Sequence, residues 1–125
     1  MSTIIEPTNV GLSEKAHSRL KQLKEDQHFL EMKDAYRFGI ALALSKGIIP
    51  PDIPTPKSTI FGVATLDPDK TIYTSIQLIM DLDEQPVYLM AERLAEWGVN
   101  FLFEKSQTGQ IDIGNILETA SQEFV

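Results

Sequence analysis

Four basic side chains in the N-terminal part of the chain have the spacing of a phosphate-binding stripe. His17, Lys21, Lys24 and His28 lie at positions i, i+4, i+7 and i+11, and a helix of about 3.6 residues per turn places such positions on one side. An array of this kind neutralises successive phosphates of a nucleic-acid backbone and releases their counterions. The stripe therefore predicts contact with the backbone of double-stranded DNA, while an ordinary solvated helix face has the same spacing and stays an alternative.

Further basic residues adjoin this stripe. Lys15 and Arg19 follow a neighbouring strip of the same predicted helix, and Lys33 and Arg37 lie one turn apart at the start of the next helix. The latter two either extend the stripe or pair with nearby acidic side chains at helical spacing. The residues that we predict to contact DNA are Lys15, His17, Arg19, Lys21, Lys24, Lys33 and Arg37.

The residue pattern gives little support to enzymatic chemistry. Nucleophilic catalysis requires a hydroxyl or thiol beside a base, yet the sequence has no cysteine, no Gly-x-Ser-x-Gly elbow, and two histidines eleven residues apart on one predicted helix. The seven glycines form neither a phosphate-cradling loop nor a dinucleotide fingerprint. We therefore expect no catalytic residue, no enzymatic activity and no cofactor.

One set of oxygen ligands has part of the spacing of a calcium loop. Asp81, Asp83, Gln85 and Glu92 match positions 1, 3, 5 and 12, but the position that requires glycine for a sharp turn is Pro86. Acidic residues ahead of a helix N-terminus are already explained by the helix dipole. We expect no metal site here.

Composition is that of an ordinary globular protein. The 125 residues include 42% hydrophobic and 23% charged side chains, which predicts a single domain over residues 1–125 with a real core. The lack of cysteine excludes disulfide frameworks and thiolate metal sites. Residues 1–10 lack signal-peptide features and no uncharged run approaches the ~18 residues of a membrane span, so we expect a cytoplasmic protein with no membrane partner.

The net charge of −7 argues, taken whole, against a nucleic-acid binder, but it is unevenly distributed. Residues 1–50 contain seven basic and six acidic side chains, a net of +1, whereas residues 51–125 contain four basic and twelve acidic ones, a net of −8. Only the first part has the charge for DNA contact. The second part repels phosphate and favours a basic protein partner.

Capping signals and periodicity divide the chain into a strand–helix–helix part over residues 1–47, a proline-rich connection over 48–58 and an acidic helical part over 59–125. In the first part, Ser13 is a good N-cap for a helix over 14–26, and a second helix over 32–46 ends at Gly47.

The later elements are predicted with less regular signals. Residues 59–66 alternate loosely, like a short strand, and Asp67 starts a helix that reaches about residue 81. A helix over 87–105 contains Gly98, which leaves a kink or break open, and a last helix starts at Asp112. The helix over 87–105 also carries an aromatic cluster, Trp97, Phe101 and Phe103. We expect this cluster to belong to the hydrophobic core rather than to form a base-stacking platform, because no basic residue interleaves with it.

The second predicted helix is apolar almost all round from residue 35 onward. Such a helix must be covered by the rest of the fold, by a partner subunit or by both. We predict that it forms a homo-oligomer through Phe38, Ile40, Leu42 and Leu44.

The order of these segments resembles a known family. The resemblance lies in five successive segments: the residues from Val10 to Ala16, the basic helix and turn, the segment from Arg37 to Gly47, the proline-rich stretch and the segment from Thr59 to Asp67. The chain looks like DndE, the small helical protein of bacterial DNA sulfur-modification (phosphorothioation) systems. The resemblance implies an oligomer that binds DNA beside the sulfur-transfer and ATPase subunits of a modification or phage-defence complex. Its DNA contacts would correspond to Lys15, Arg19, Lys21 and Lys24.

The first part is also similar to ribbon-helix-helix proteins, in which a strand precedes two helices and the second helix packs in a dimer. Residues 2–12 would supply the strand, although they carry no lysine or arginine for the major groove. The expected fold is therefore mainly α and ribbon-helix-helix-like in its first part. We expect a non-enzymatic DNA-binding accessory subunit, with an acidic scaffold subunit or a ribbon-helix-helix regulator as alternatives.

Overall fold

The computed structural model describes residues 4–55 and 57–108, which form five helices and two strands. In chain order these are β1 (Asn9–Ser13), α1 (Glu14–Glu25), α2 (Met32–Ser45), β2 (Lys57–Gly62), α3 (Val63–Leu66), α4 (Thr71–Ile79) and α5 (Val87–Gln107). Helices dominate, as predicted, but the two strands form an antiparallel sheet. The described part of the chain is therefore mixed α/β rather than purely helical.

The two strands differ from the strands that the sequence predicts. The first begins only at Asn9 rather than near residue 2, and its partner is β2 of the same chain, with Ser13 opposite Lys57. The segment 59–66 divides into the end of β2 and the short helix α3. A bulge between Val10 and Gly11 shifts the pairing, and the strands approach so closely there that a Cβ on Gly11 would lie 2.0 Å from the Ser58 carbonyl oxygen.

The helices of the first part agree with the prediction to within one residue. The Ser13 hydroxyl oxygen accepts a hydrogen bond from the Ala16 amide, 3.2 Å away, so Ser13 is the predicted N-cap of α1. Three apolar side chains four or three residues apart, Ala16, Leu20 and Leu23, are buried on its inner face. Gly47 follows α2 with φ of +66°, the left-handed conformation that ends many helices.

The core centres on α2 and α5, which cross where two glycines meet. A Cβ on Gly98 would lie 2.2 Å from the Gly39 carbonyl oxygen, so α5 has no room for a side chain at this crossing, and a Cβ on Gly39 would be in tight contact with the Gly98 backbone at 3.2 Å. The sequence left a kink or break at Gly98 open, and α5 runs through it without a break. Close packing with α2 accounts for the glycine.

The oligomer surface predicted on α2 is largely inside the chain. Ile40, Leu42 and Leu44 are at most 7% exposed, and all three belong to the hydrophobic core. Phe38 is partly buried and packs against the Phe29 ring at a centroid distance of 5.7 Å. The rest of the chain's own fold buries this face of α2. This corrects the prediction of a homo-oligomer interface at these residues.

Two carboxylates anchor the starts of α4 and α5. Asp67 accepts hydrogen bonds from the amides of Ile72 and Tyr73, both at 3.0 Å, although α4 begins four residues after it rather than next to it. Glu6 accepts from the amides of Val87 and Tyr88, both at 2.9 Å, and so joins the N-terminal segment to α5. Both arrangements pair a negative charge with unsatisfied amides at a helix N-terminus.

The last predicted helix, from Asp112 onward, lies outside the described residues. None of the described helices combines the length and the hydrophobicity that crossing a lipid bilayer requires.

Candidate nucleic-acid interface

Three of the four stripe residues, His17, Lys21 and Lys24, lie on α1, whereas His28 lies beyond the helix, which ends at Glu25. Lys21 and Lys24 are exposed, and neither forms an ion pair within residues 4–55 and 57–108. His17 is half-buried, and its Nδ1 lies 3.1 Å from the Ser58 hydroxyl oxygen of β2. The pKa of His17 is lowered, first by burial and then by the neighbouring Lys21 charge, so His17 is mainly neutral at pH 7 and contributes no charge to the stripe.

The neighbouring strip of α1 is divided between packing and solvent. Arg19 faces α5, where Nη1 donates to the Asn100 side-chain oxygen at 2.9 Å and lies 4.0 Å from a Glu104 carboxylate oxygen. Its guanidinium also lies 4.8 Å from the Phe103 ring centroid. Arg19 therefore holds α1 against α5, whereas Lys15 is exposed.

The two basic residues predicted on α2 have partners in the fold. Nε and Nη2 of Arg37 donate to the carbonyl oxygens of Leu66 and Thr65, at 2.7 and 3.1 Å, and so satisfy the end of α3. Lys33 pairs with Glu31 at 3.2 Å, one of the alternatives that the spacing left open. The ammonium groups on the surface of α1 are therefore those of Lys15, Lys21 and Lys24, which we call the α1 lysines.

The most elaborate polar cluster is one that the sequence reading missed. Glu92 and Glu96, 3% and 9% exposed, lie one turn apart on α5 and face the outer edge of β1. Glu92 accepts from the Gly11 amide at 2.7 Å and from the Lys57 ammonium at 3.1 Å. Glu96 accepts from both the amide and the hydroxyl of Ser13, at 3.0 and 2.7 Å. Each carboxylate thus has donors supplied by the strand.

Tyr36 completes this cluster from α2. Its hydroxyl donates to the Gly11 carbonyl oxygen at 3.0 Å, and the side chain is fully buried. Burial, followed by the charges of Glu92 and Glu96, raises the pKa of Tyr36 well above its ordinary value. Two glutamates four residues apart inside an otherwise apolar segment were the available signal for the cluster.

This cluster bears on the ribbon-helix-helix reading. A ribbon shared by two copies requires a free strand edge, but one edge of β1 pairs with β2. On the other edge, the groups of Gly11 and Ser13 bond to Glu92, Glu96 and Tyr36. The strand–helix–helix order is present, but β1 is paired inside its own chain.

The candidate calcium ligands are not brought together. Glu92 is buried against β1, while Asp81 accepts from the Asp83 amide at 3.2 Å in the turn before α5. Among the described residues, no group of three or more histidine, aspartate or glutamate side chains is arranged to hold a metal ion.

The aromatic cluster of α5 differs from its sequence-based description. Trp97 and Phe101 stack with centroids 5.1 Å apart and are only partly buried at the edge of the core. The ammonium groups of Lys46 and Lys105 lie 5.5 and 5.4 Å from the Phe101 ring centroid. Basic side chains therefore do adjoin these rings, one of them from a distant part of the chain.

Comparison of the chain with protein-family models, with curated proteins and with solved structures finds no match.

Proposed function

We propose that this chain is a non-enzymatic, DNA-binding accessory subunit of a bacterial DNA phosphorothioation or phage-defence system, which contacts the backbone of double-stranded DNA. The observation that carries the proposal is the surface of α1, where the α1 lysines are exposed. Of the other predicted contact residues, His17, Arg19 and Arg37 bond within the fold, and Lys33 pairs with Glu31 at the surface. The resemblance in segment order to DndE supplies the biological setting of the proposal.

The spacing of the two stripe lysines suits a phosphate backbone. With a rise of about 1.5 Å per residue, Lys21 and Lys24 are separated by about 4.5 Å along the helix axis. Phosphates on one strand of DNA are spaced by about 3.4 Å along its axis. One lysine on each of two successive phosphates, with Lys15 directed from another side of α1 to a phosphate elsewhere on the duplex, requires no base contact. The proposal therefore predicts weak sequence preference.

The acidic side chains on the same helix limit the affinity of a single copy. Glu14 and Glu25 are exposed on α1, and about three phosphate contacts correspond to the range of non-specific binding, with Kd of roughly 10⁻⁴ to 10⁻⁶ M. Several copies in one assembly would add their contacts. A homo-oligomer, which stays a prediction, would therefore use a surface other than the buried face of α2.

A salt titration of fluorescently labelled duplex DNA, followed by anisotropy, tests the proposal. We expect binding at low ionic strength, with the logarithm of the association constant falling against the logarithm of salt with a slope of about −3. The double change Lys21→Glu with Lys24→Glu should abolish binding, because it replaces two attractive charges by two repulsive ones.

The matched control is Lys70→Glu with Lys105→Glu, which alters the net charge equally but lies outside α1. It should retain most of the wild-type affinity. Absence of binding by the wild-type protein, or equal losses in the two double variants, would contradict the proposal. Thermal unfolding of each variant establishes that a loss does not come from unfolding.

A further inference from the structure

Exposed apolar side chains gather where the N-terminal segment meets the end of α4. Seven large hydrophobic side chains are exposed within the described residues, and four of them belong to this region: Ile4, Ile5, Leu78 and Ile79. Ile5 and Leu78 are 82% and 80% exposed. Contiguous apolar surface of this kind on a folded chain marks an interaction site.

A groove of about 390 Å³ lies between the N-terminal segment and the end of α4, and of these four side chains Ile4 lines it. Ile4, Tyr73 and Met80 are among the residues of its floor, and Glu6, Asp81 and Glu84 are acidic residues of its wall. We call it the α4 groove. Among the described residues, no lysine or arginine lines the groove, and the adjoining Lys70 has its ammonium 5.5 Å from the Tyr73 ring centroid.

We infer that the α4 groove binds a basic amphipathic helical segment of a partner protein. The apolar face of such a segment would cover Ile4, Tyr73 and Met80, and its lysine or arginine side chains would meet the acidic wall. The wall belongs mostly to the part of the chain with a net charge of −8, which attracts a basic segment during encounter.

The same charges disfavour other occupants. In a symmetric dimer through this face, the two acidic walls would be brought near each other, because the same patch serves both copies. A nucleic acid would meet carboxylates instead of ammonium groups.

The inference goes beyond the proposed function and does not depend on it. The groove adjoins the start of α5, where Glu6 binds Val87 and Tyr88, whereas α1 packs against the later part of the helix through Asn100. From residue 88 to residue 100 the helix rises by about 18 Å. The groove and the α1 lysines are therefore separate surfaces.

The test uses a fluorescein-labelled synthetic peptide of about 18 residues, with leucine at i, i+3, i+4 and i+7 and lysine elsewhere. Its binding to the wild-type chain is followed by anisotropy. The change Ile4→Ser with Met80→Ser should weaken binding at least about tenfold, because it removes two apolar side chains that line the groove. The change Asp81→Asn with Glu84→Gln should weaken binding and reduce its dependence on salt, because it removes two charges while keeping hydrogen-bonding groups.

Two control variants carry the same kinds of change elsewhere. Leu30→Ser with Ile49→Ser alters two side chains that are 91% and 87% exposed and do not line the groove. Asp52→Asn with Glu104→Gln removes two exposed charges outside it. Both should bind the peptide like the wild type.

Four results would overturn the inference. The first is no binding by the wild type, and the second is equal binding of a peptide with glutamate in place of lysine. The third is equal weakening by the control variants, and the fourth is a dimer in sedimentation that Ile4→Ser with Met80→Ser dissociates. DNA binding is measured in a separate titration, so failure here leaves the proposed function standing and failure there leaves this inference standing.

Discussion

The buried side chains Glu92, Glu96 and Tyr36 show how single polar groups position a strand. Burying a carboxylate is unfavourable unless donors replace its lost hydration, and here the donors are the Gly11 and Ser13 amides, the Ser13 hydroxyl and the Lys57 ammonium. These bonds fix the position of β1 along α5. They also place two carboxylates near the phenol of Tyr36, which makes its ionisation unfavourable in the folded chain.

Alkaline pH should expose this effect. The pKa of Tyr36 is higher in the folded chain than its ordinary value of 10.0, so its contribution to stability is fully present below about pH 10. It is lost as pH rises from there through the folded-state pKa. In urea unfolding across this range, the wild type should lose stability faster than Tyr36→Phe, which has no phenol to ionise.

The Tyr36→Phe variant should already be less stable at neutral pH, by about 0.5–1.5 kcal/mol, because the Gly11 carbonyl oxygen loses its donor. The wild type and Tyr36→Phe are each titrated with base while near-ultraviolet absorbance is recorded. The difference between the two titrations reports the ionisation of Tyr36 itself. A difference spectrum that develops below pH 10 in the folded protein would refute the prediction.

At the scale of elements, α2 and α5 are joined by a crossing that local patterns do not encode. Alanine is a better helix former than glycine by about 1 kcal/mol, so Gly98 taken alone reads as a weak point of its helix. At the crossing, however, Gly98 is required, because the space that a methyl group would need is filled by the Gly39 backbone.

Gly98→Ala should therefore destabilise the chain by about 1–3 kcal/mol, the range of an overpacked core, despite the gain in helix propensity. Thermal and urea unfolding measure the change. Gly62→Ala is the matched control, because the nearest atom to its added Cβ is a side-chain oxygen at 3.8 Å. A Gly98→Ala variant as stable as the wild type would show that the helices separate without penalty.

Local signals therefore predicted the elements of the first part but not their tertiary contacts. The Ser13 cap and the inward spacing of Leu20 and Leu23 were sufficient to place α1. The apolar character of α2 indicated burial but not what covers it. Pairing of β1 with β2, and the aim of Glu92 at β1, join positions about fifty to eighty residues apart, which periodicity does not report. The α1 lysines were found by spacing, whereas the engagement of Arg19 and Arg37 required the fold.

At the scale of the whole molecule, α5 connects two surfaces of different chemistry. The helix α1, which carries the α1 lysines, packs against the later half of α5 through Arg19, and the α4 groove adjoins the first turn of α5. The basic and the acidic parts of the sequence thus contribute to different surfaces of the fold. A basic helix surface and an acidic, partly apolar groove suit two different partners, DNA and a basic protein segment.

The two surfaces should be separable by mutation. Lys21→Glu with Lys24→Glu should lose DNA binding while keeping peptide affinity within about twofold. Ile4→Ser with Met80→Ser should do the reverse, because substitutions at distant sites act independently. Running both titrations on both variants measures this. Weakening of both ligands by either variant would mean that the surfaces are coupled or overlap.

Both edges of β1 are bonded within the chain, and this affects how the chain aggregates. An exposed strand edge is a template on which another chain can add its own strand. In β1 the groups of Gly11 and Ser13 that would accept such a strand are held by α5 and α2. A strand from another molecule would first have to displace two buried carboxylates, so growth of cross-β fibrils from this strand requires that α5 detach from β1.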